Sequence, residues 1–392
     1  MTIVIALLLA PLTLLTLCLA TELFAGIRPL SRIVDRSGAI TRAVIVVPAH
    51  DEEAILTDRL EALFNAAAGA ASILLVADNC SDATAEMARK IGVEVVERID
   101  PTRRGKGYAL DFAKHHLQRR PPDVLLVIDA DCAMDSASIS HLIAACAASG
   151  APCQATNLQA PEPGSSIAVK LSTFAFYIKN VVRQRALKRL ANRVHLLGTG
   201  MALPWRIFAG AELATGNIVE DLKLGQDLAE AGQPALFIEE ATVWSRSETG
   251  PNTLSQRRRW EGGFVRNALQ SGPAMFARSL KRGDPRGLWA AINIMIPPLA
   301  LLVMLDVAGL VAASAAAWLT ASAWWPVWML GCALALVAAG LGLAWARGGA
   351  RFVSFRDLAC APLYVAWKLP LYLGLLRHGA PGEWKRTDRG PA

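Results

Sequence analysis

The sequence predicts an α/β protein: a mostly parallel sheet covered by helices on both faces, with transmembrane α-helices at both ends of the chain. Three observations predict it. Between residues 40 and 270, short and almost wholly apolar runs alternate with helical stretches, which is how a sheet buried on both faces reads. Two long apolar segments, Ile3 to Phe24 and Leu288 to Ala346, lie outside that region. Apolar residues make up 53% of the 392 residues and charged ones only 19%, against about 25% charged in soluble domains. Such a composition excludes a disordered chain and argues against an ordinary soluble one.

In chain order, Ile3 to Phe24 comes first, 22 residues with one charge, Glu22, near its end. At 1.5 Å per residue it reaches about 33 Å, enough to cross a hydrocarbon core of about 30 Å. No Lys or Arg precedes it, whereas Arg28, Arg32, Arg36 and Arg42 follow. That pattern fits a retained anchor over 1–27 better than a cleaved signal peptide, and it sends the chain after residue 27 to the cytoplasm. The region 40–270 then alternates: a strand Ala43 to Val47, a helix Glu52 to Ala67, a strand Ser72 to Ala77 and a helix Ala83 to Ile91. A strand Val93 to Glu97, a helix Gly107 to Gln118 and a strand Val124 to Ile128 complete the pattern. Within the same region Ser166 to Arg193 is a basic stretch without Asp or Glu, interleaved with Leu171, Phe174, Phe176, Tyr177, Val181 and Leu187, which reads as an amphipathic helix on a membrane surface.

After a linker at 271–287, Leu288 to Ala346 runs 59 residues with a single charge, Asp306. That length suits two transmembrane helices, broken near Thr320 to Pro326, where Trp324, Trp325 and Trp328 cluster as an interfacial belt would. Asp306 inside a span is either functional or capped by Asn293 or a neighbouring helix. The stretch 357–378 contains Pro362, Lys368 and Pro370 and reads as an interfacial or re-entrant helix, with a basic cytoplasmic tail at 379–392. Seven cysteines form no paired spacing, so neither a disulfide framework nor a zinc site is expected. The formal charge of +7 suits an anionic membrane surface or a phosphate-bearing ligand, and nothing in the motifs points to nucleic acid.

In parallel sheets ligands bind outside the carboxyl ends of the strands. Here those ends carry Pro48-Ala49-His50-Asp51-Glu52-Glu53, then Asp78-Asn79-Cys80-Ser81-Asp82, then Asp129-Ala130-Asp131 with Asp135 close behind. An Asp at a strand end usually turns the chain or caps the next helix, and Asp82 reads that way. Three acidic ends in register instead suggest oxygen ligands for a hard cation such as Mg²⁺ or Mn²⁺. Arg103-Arg104-Gly105-Lys106-Gly107 opens a helix and suits a diphosphate. It lacks the first glycine of a P-loop, and there is no G-x-G-x-x-G, so ATPase and dinucleotide readings lose their support.

Gly198-Thr199-Gly200, Glu220-Asp221 and Gln256-Arg257-Arg258-Arg259-Trp260 follow. The ordered series Asp78, Asp129-x-Asp131, Glu220-Asp221 and Q-x-x-R-W at 256–260 resembles the family 2 inverting glycosyltransferases of the GT-A fold. It is most similar to the membrane-bound bacterial group that includes cellulose, hyaluronan, chitin-oligosaccharide and poly-N-acetylglucosamine synthases. The resemblance implies a donor site made by Pro48, His50, Glu52, Asp78, Arg104, Lys106, Asp129, Gln256 and Arg259, with Asp131 on Mg²⁺ or Mn²⁺. It implies Asp221, beside Glu220, as general base on the acceptor hydroxyl, and Trp260 with Gly198, Thr199 and Gly200 on the acceptor side. Ala77-Asp78-Asn79 keeps the base-binding Asp but departs from the frequent Asp-Asp-Gly loop.

The expected partners are a nucleotide-sugar donor, a lipid-linked or glycan acceptor, membrane lipids and other polysaccharide-assembly subunits. The expected setting is a bacterial inner membrane, crossed more than once, with the catalytic domain cytoplasmic. Two alternatives accompany transfer of one or a few sugars: a processive polysaccharide synthase working as an oligomer, and an inactive scaffold subunit.

Overall fold

The computed structural model describes residues 1–31, 41–161, 164–215, 219–246 and 252–379. Its strands are β1 Ala43–Ala49, β2 Ser72–Asp78, β3 Glu94–Arg98, β4 Val124–Val127, β5 Ala133–Met134, β6 Cys153–Ala160, β7 Met201–Pro204 and β8 Leu236–Arg246. Its helices begin with α1 Thr2–Gly26, α2 Glu53–Ala67, α3 Thr84–Ile91, α4 Lys106–Leu117, α5 Ser136–Ser149, α6 Ile167–Tyr177, α7 Arg183–Ala191 and α8 Trp205–Gly210. They continue with α9 Glu220–Glu230, α10 Asn252–Arg282, α11 Pro285–Met295, α12 Leu299–Leu319, α13 Trp325–Arg347, α14 Phe355–Ala359, α15 Ala361–Trp367 and α16 Leu369–His378. The chain divides into two compact units, a sheet unit (29–160 and 193–247) and a helical unit (1–28, 161–192 and 248–381).

In the sheet unit the strand order is β3-β2-β1-β4-β7-β6-β8-β5. β1 pairs in parallel with β2 and β4, and β2 in parallel with β3. Side chains alternate along these strands and so feed two cores. Ile45, Val47, Leu75 and Leu126 pack with Leu56 and Leu60 of α2 and Ile139 and Leu142 of α5. Val44, Val46, Leu74, Val76, Leu125 and Val127 pack on the opposite face with Leu110 of α4, Phe208 of α8 and Leu224 of α9. This two-sided burial is the reason the runs are apolar at every position.

The second half of the sheet is mixed. β7 runs antiparallel to β4 and to β6, while β6 and β8 are parallel. Sequence periodicity passes over these strands for physical reasons. β7 has only four residues, β6 carries Gln154, Asn157 and Gln159 in a buried setting, and β8 contains Glu239 and Glu240.

In the helical unit, α1, α12 and α13 are long and apolar enough to cross a membrane. Residues 288–298 do not form the start of such a helix. They belong to α11 and to the break at Ile296–Pro298, where consecutive prolines cannot continue the backbone hydrogen bonding. α12 ends at Leu319 and α13 begins at Trp325. The stretch after α13 includes three short helices, and Lys368 is buried and ion-pairs with Glu261, which also accepts a hydrogen bond from the Tyr372 hydroxyl.

Two expectations are corrected here. The block 40–270 does not fold as one piece, because 161–192 and the part from 248 onward belong to the helical unit. In the basic stretch Ser166 to Arg193, Leu171, Phe174, Tyr177, Val181 and Leu187 are buried by packing within the protein, while Phe176 is half-buried and Ile167 exposed, so most of its apolar side chains are not available to a bilayer. Its cations hold the helices together instead. Arg183 Nε donates to Glu22 Oε2 at 2.6 Å and its Nη2 to the Asn293 carbonyl at 3.0 Å, while Asn293 Nδ2 donates to Glu22 Oε1 at 2.6 Å. Arg189 donates to the carbonyls of Ala25 and Arg28, both at 2.7 Å, at the negative end of the α1 dipole. Asp306 is fully buried and accepts from Thr16 Oγ1 at 2.8 Å, so α1 caps it, and Asn293 is committed to Glu22.

Glu22 is wholly buried, and removing its partner strands a charge. Arg183→Met is expected to destabilise the protein by about 3–5 kcal/mol. The double variant Arg183→Met/Glu22→Leu should recover part of that loss. Thermal denaturation of the detergent-solubilised chain checks both.

Candidate active site

All the parallel strands end on one edge of the sheet, and the loops leaving it carry the polar side chains. After β1, His50 Nδ1 lies 2.6 Å from the Asp78 carbonyl. Asp51, in the left-handed region at φ 50°, accepts from the Ser81 amide at 2.6 Å. Asp82 accepts from the amides of Thr84 and Glu53, at 3.0 and 3.1 Å, just ahead of α3, whose N-cap position is Ala83 and not Asp82. Glu52 stands before α2, with its amide donating to Thr84 Oγ1 at 2.8 Å. These contacts bind the first two loops to each other. Asp135 caps α5 through the Ser138 amide at 2.8 Å and is not part of the acidic edge.

Asp78 sits opposite Arg98 in the β2–β3 register, and that neighbour was missed because the expected strand stopped at Glu97. Arg98 Nη1 donates to Asp78 Oδ1 at 2.6 Å and its Nη2 to Asp100 at 3.1 Å, with the guanidinium over the Tyr108 ring. Asn79 Nδ2 also donates to Asp78 Oδ1, at 2.9 Å, and the Gly105 amide supports the same carboxylate. Burial pushes the Asp78 carboxyl above its usual range despite the pull of Arg98. The expected base-binding Asp is thus a held, oriented acceptor.

Lys106 is the first residue of α4, and its Nζ ion-pairs with Asp129 and donates to the Gly198 carbonyl at 2.7 Å. Burial alone would lower its pKa, but the carboxylates of Asp129, Glu220 and Asp221 raise it, so it stays charged. Glu220 and Asp221 open α9, where a helix N-terminus favours acidic side chains. Burial, and then the adjoining Asp221, push the Glu220 carboxyl well above its usual range, against the pull of the Lys106 ammonium. Gly198 and Gly200 have φ of +81° and +63°. A Cβ on Gly198 would stand 3.0 Å from Asp221 Oδ2 and 3.3 Å from Lys106 Nζ, and one on Gly200 would strike Val243 Cγ1 at 2.5 Å. Only glycine leaves room there. Thr199 is buried, and its hydroxyl accepts from the Asp129 amide at 3.2 Å. It therefore braces the end of β4.

Among the described residues, two groups of side chains have the spacing to hold a cation: Asp129, Asp131 and Cys132, and Asp51, Cys80 and Asp82, with ligand atoms within 4.8 Å of one another in each. In the second, the carboxylates serve the Ser81, Thr84 and Glu53 amides already described. In the first, the Cys132 thiol points 3.3 Å from Asp131 Oδ1. Burial, and then Asp131, raise its pKa well above the ordinary value, so it remains a thiol. Two carboxylates are left as donors, which fits an oxygen-seeking divalent ion such as Mg²⁺ or Mn²⁺.

The residue that holds this edge in shape carries no sequence signal beyond being polar in a strand. Gln154 of β6 is fully buried. Its Nε2 lies 2.9 Å from the Thr199 carbonyl, 3.0 Å from that of Ala155 and 3.2 Å from that of Gly200, and its Oε1 accepts from the Leu197 amide at 2.9 Å. One side chain thus fixes the 197–200 turn that meets Lys106 and Asp129. Gln154→Leu should cost about 1–3 kcal/mol by leaving those groups unpaired. Hydrogen exchange at residues 197–200 should rise in that variant more than elsewhere in the sheet.

Arg104 is exposed beside Lys106, and Pro48 lies within β1. Gln256, Arg259 and Trp260 belong to α10 in the helical unit. The side chains of the first two lie outside the described residues, and Trp260 is exposed.

Residues 41–263, more than half the chain, match the sequence family described as "Glycosyltransferase like family 2". No curated protein matches the sequence. Among solved structures, the mannosyltransferase of Pyrobaculum calidifontis in complex with GDP-mannose and Mn²⁺ is similar over 96% of this chain and 99% of its own, with TM-score 0.58 and 15% identity. Glucosyl-3-phosphoglycerate synthase of Mycobacterium tuberculosis, with Mn²⁺ and UDP-glucose, is similar over 61% of this chain and 86% of its own, with TM-score 0.42 and 17% identity. The first likeness shows the fold.

Proposed function

Since the chain belongs to glycosyltransferase-like family 2, we propose that it is an inverting transferase that takes a sugar from a nucleotide sugar, UDP-linked by preference. Its acceptor in this reading is a membrane-associated lipid-linked sugar or polysaccharide, and its product a β-glycoside in exopolysaccharide or glycolipid assembly. The observation that carries the reading is the cluster around Lys106. Asp129 after β4, the Gly198 carbonyl and the Glu220-Asp221 pair surround one ammonium, with Asp131 beside Asp129.

Each residue has a task in that reaction. Asp78, oriented by Arg98, accepts a hydrogen bond from the base of the donor. Asp129 and Asp131 would hold Mg²⁺ or Mn²⁺, which when bound offsets the charge growing on the departing diphosphate. Lys106 and Arg104 lie at the opening turn of α4 and supply further positive charge to the phosphates. Asp221 takes the proton of the acceptor hydroxyl as that oxygen attacks, because a sugar hydroxyl is a poor nucleophile until it is deprotonated. A single displacement inverts the anomeric carbon. Arg259, Gln256 and Trp260 are assigned to the diphosphate and acceptor by the motif alone.

Among the described residues three helices are long and apolar enough to cross a membrane. Three helices are few to enclose a channel for a growing polymer, which favours addition of one or a few sugars over processive synthesis by a single chain. The resemblance to the membrane-bound synthase group and the cytoplasmic placement of the sheet unit are part of the same proposal.

Asp221→Asn should retain donor binding and lower transfer by about 10²–10⁴-fold, as loss of a positioned base does. Asp131→Ala should instead weaken Mn²⁺-dependent binding of UDP. Calorimetric titration of both variants, beside transfer assays with a panel of UDP- and GDP-sugars on extracted membrane lipids, separates the two roles. Equal loss of nucleotide by both would overturn the assignment.

Orientation is tested independently. A reporter active only outside the cytoplasm should work when inserted near Ser322, between α12 and α13, and stay silent when fused after Ala392. At seven and ten residues, α15 and α16 are each too short to span a bilayer that needs about 20. A strong external signal from the C-terminal fusion would reverse that placement.

A further inference from the structure

The position of Lys106 carries more than a phosphate contact. A residue that only awaited a diphosphate would extend toward solvent. Lys106 instead turns inward, with its side chain 18% exposed, and its Nζ spans Asp129 and the Gly198 carbonyl. The ammonium lies against the same Asp129 that belongs to the candidate cation group with Asp131. Its position relative to Gly198 also brings it to the edge of the Asp221 carboxylate. A monovalent cation of the protein's own thus occupies ground that a divalent ion would share.

We propose that Lys106 is a latch for the metal site: its ammonium holds Asp129 in the ligand-free protein and yields it to the cation only when a diphosphate arrives to receive the ammonium. The inference rests on the proposed nucleotide-sugar reading and adds to it an order of events. Coulomb repulsion between a fixed ammonium and an incoming divalent ion, a few ångströms apart and partly shielded from water, weakens binding of the ion alone. A diphosphate removes that repulsion by drawing the lysine to its own oxygens and supplying further ligands. Metal and nucleotide then bind with strong mutual dependence, and metal alone binds poorly. The Gly198 carbonyl and the Gln154-braced turn behind it would return the ammonium to Asp129 after the product leaves.

The test uses the full chain in detergent micelles, with Mn²⁺ alone, then UDP or GDP, as probes. Free Mn²⁺ is read by electron paramagnetic resonance and nucleotide binding by calorimetry. In the wild-type protein, Mn²⁺ alone should bind at least about tenfold more weakly than in the presence of saturating nucleoside diphosphate, a factor within reach of one unit charge at this distance. Lys106→Met should bind Mn²⁺ alone about tenfold more tightly than wild type while binding the nucleoside diphosphate more weakly at saturating Mn²⁺. Lys106→Arg should stay near wild type in the first measurement. A merely structural lysine would lose affinity for both ligands on removal, never gain it for one.

Wild-type Mn²⁺ affinity that is unaffected by a nucleoside diphosphate seen to bind in the calorimeter would overturn the latch without any variant, whether or not Lys106→Met folds. So would unchanged or weaker Mn²⁺ binding by a folded Lys106→Met. Failure of the underlying reading looks different: neither UDP nor GDP would bind under any condition. The gain in affinity of Lys106→Met for Mn²⁺ alone would then still decide for or against the latch.

Discussion

One ammonium among carboxylates organises the sheet unit. Lys106 can lie there because Gly105 and Gly107 let α4 begin beside the strand ends, because Gly198 has no side chain to displace it, and because Asp129, Glu220 and Asp221 together offset the cost of its burial. Without a cation at that point, three acidic groups from two separate parts of the chain would repel one another in a poorly solvated space. Much of the remaining architecture serves the same point. Gln154 ties the 197–200 turn to the sheet, Thr199 braces the Asp129 amide, and the Lys106 ammonium opposes the upward push of burial on the Glu220 carboxyl.

A second polar device, built on similar principles, holds the helical unit. Glu22 near the end of α1 is buried and meets both Arg183 and Asn293, which come from well separated parts of the sequence. A buried carboxylate is tolerable only when its partners are in place, so this contact specifies which helices assemble as well as adding stability. It also explains why a stretch as basic as Ser166 to Arg193 can be interior: its cations answer a buried carboxylate and the carbonyl end of α1, and its apolar side chains fill the space between helices.

Much of the sheet and part of the site can be read in the residues alone. β1 and β4 are apolar at every position, and β2 between its end residues, because both faces are covered, and that leaves an unambiguous pattern. The acidic strand ends and the Gly-Lys-Gly helix start are equally visible. The second half of the sheet is not, since β6 buries Gln154, Asn157 and Gln159 and β7 is four residues long. Polar residues inside a strand look like a surface until the partners that satisfy them are known. The amphipathic look of 166–193 misled for the matching reason: a face that is apolar and basic suits lipid and suits a helix bundle with a buried acid, and periodicity cannot distinguish them.

What the sequence by itself determined is local and periodic: which runs are strands, which segments are apolar enough to cross a membrane, where carboxylates and glycines punctuate the chain, and the family they signify. Tertiary structure alone decided the pairings. Arg98 meets Asp78 through strand register, Lys106 meets Asp129 through adjacency of two strand ends, Arg183 meets Glu22 across 161 positions of sequence, and Lys368 meets Glu261 instead of lipid. The physical reason is that a charged or amide side chain carries a need for a partner but no address for it. The address is set only when packing of the apolar positions brings distant segments to the same place.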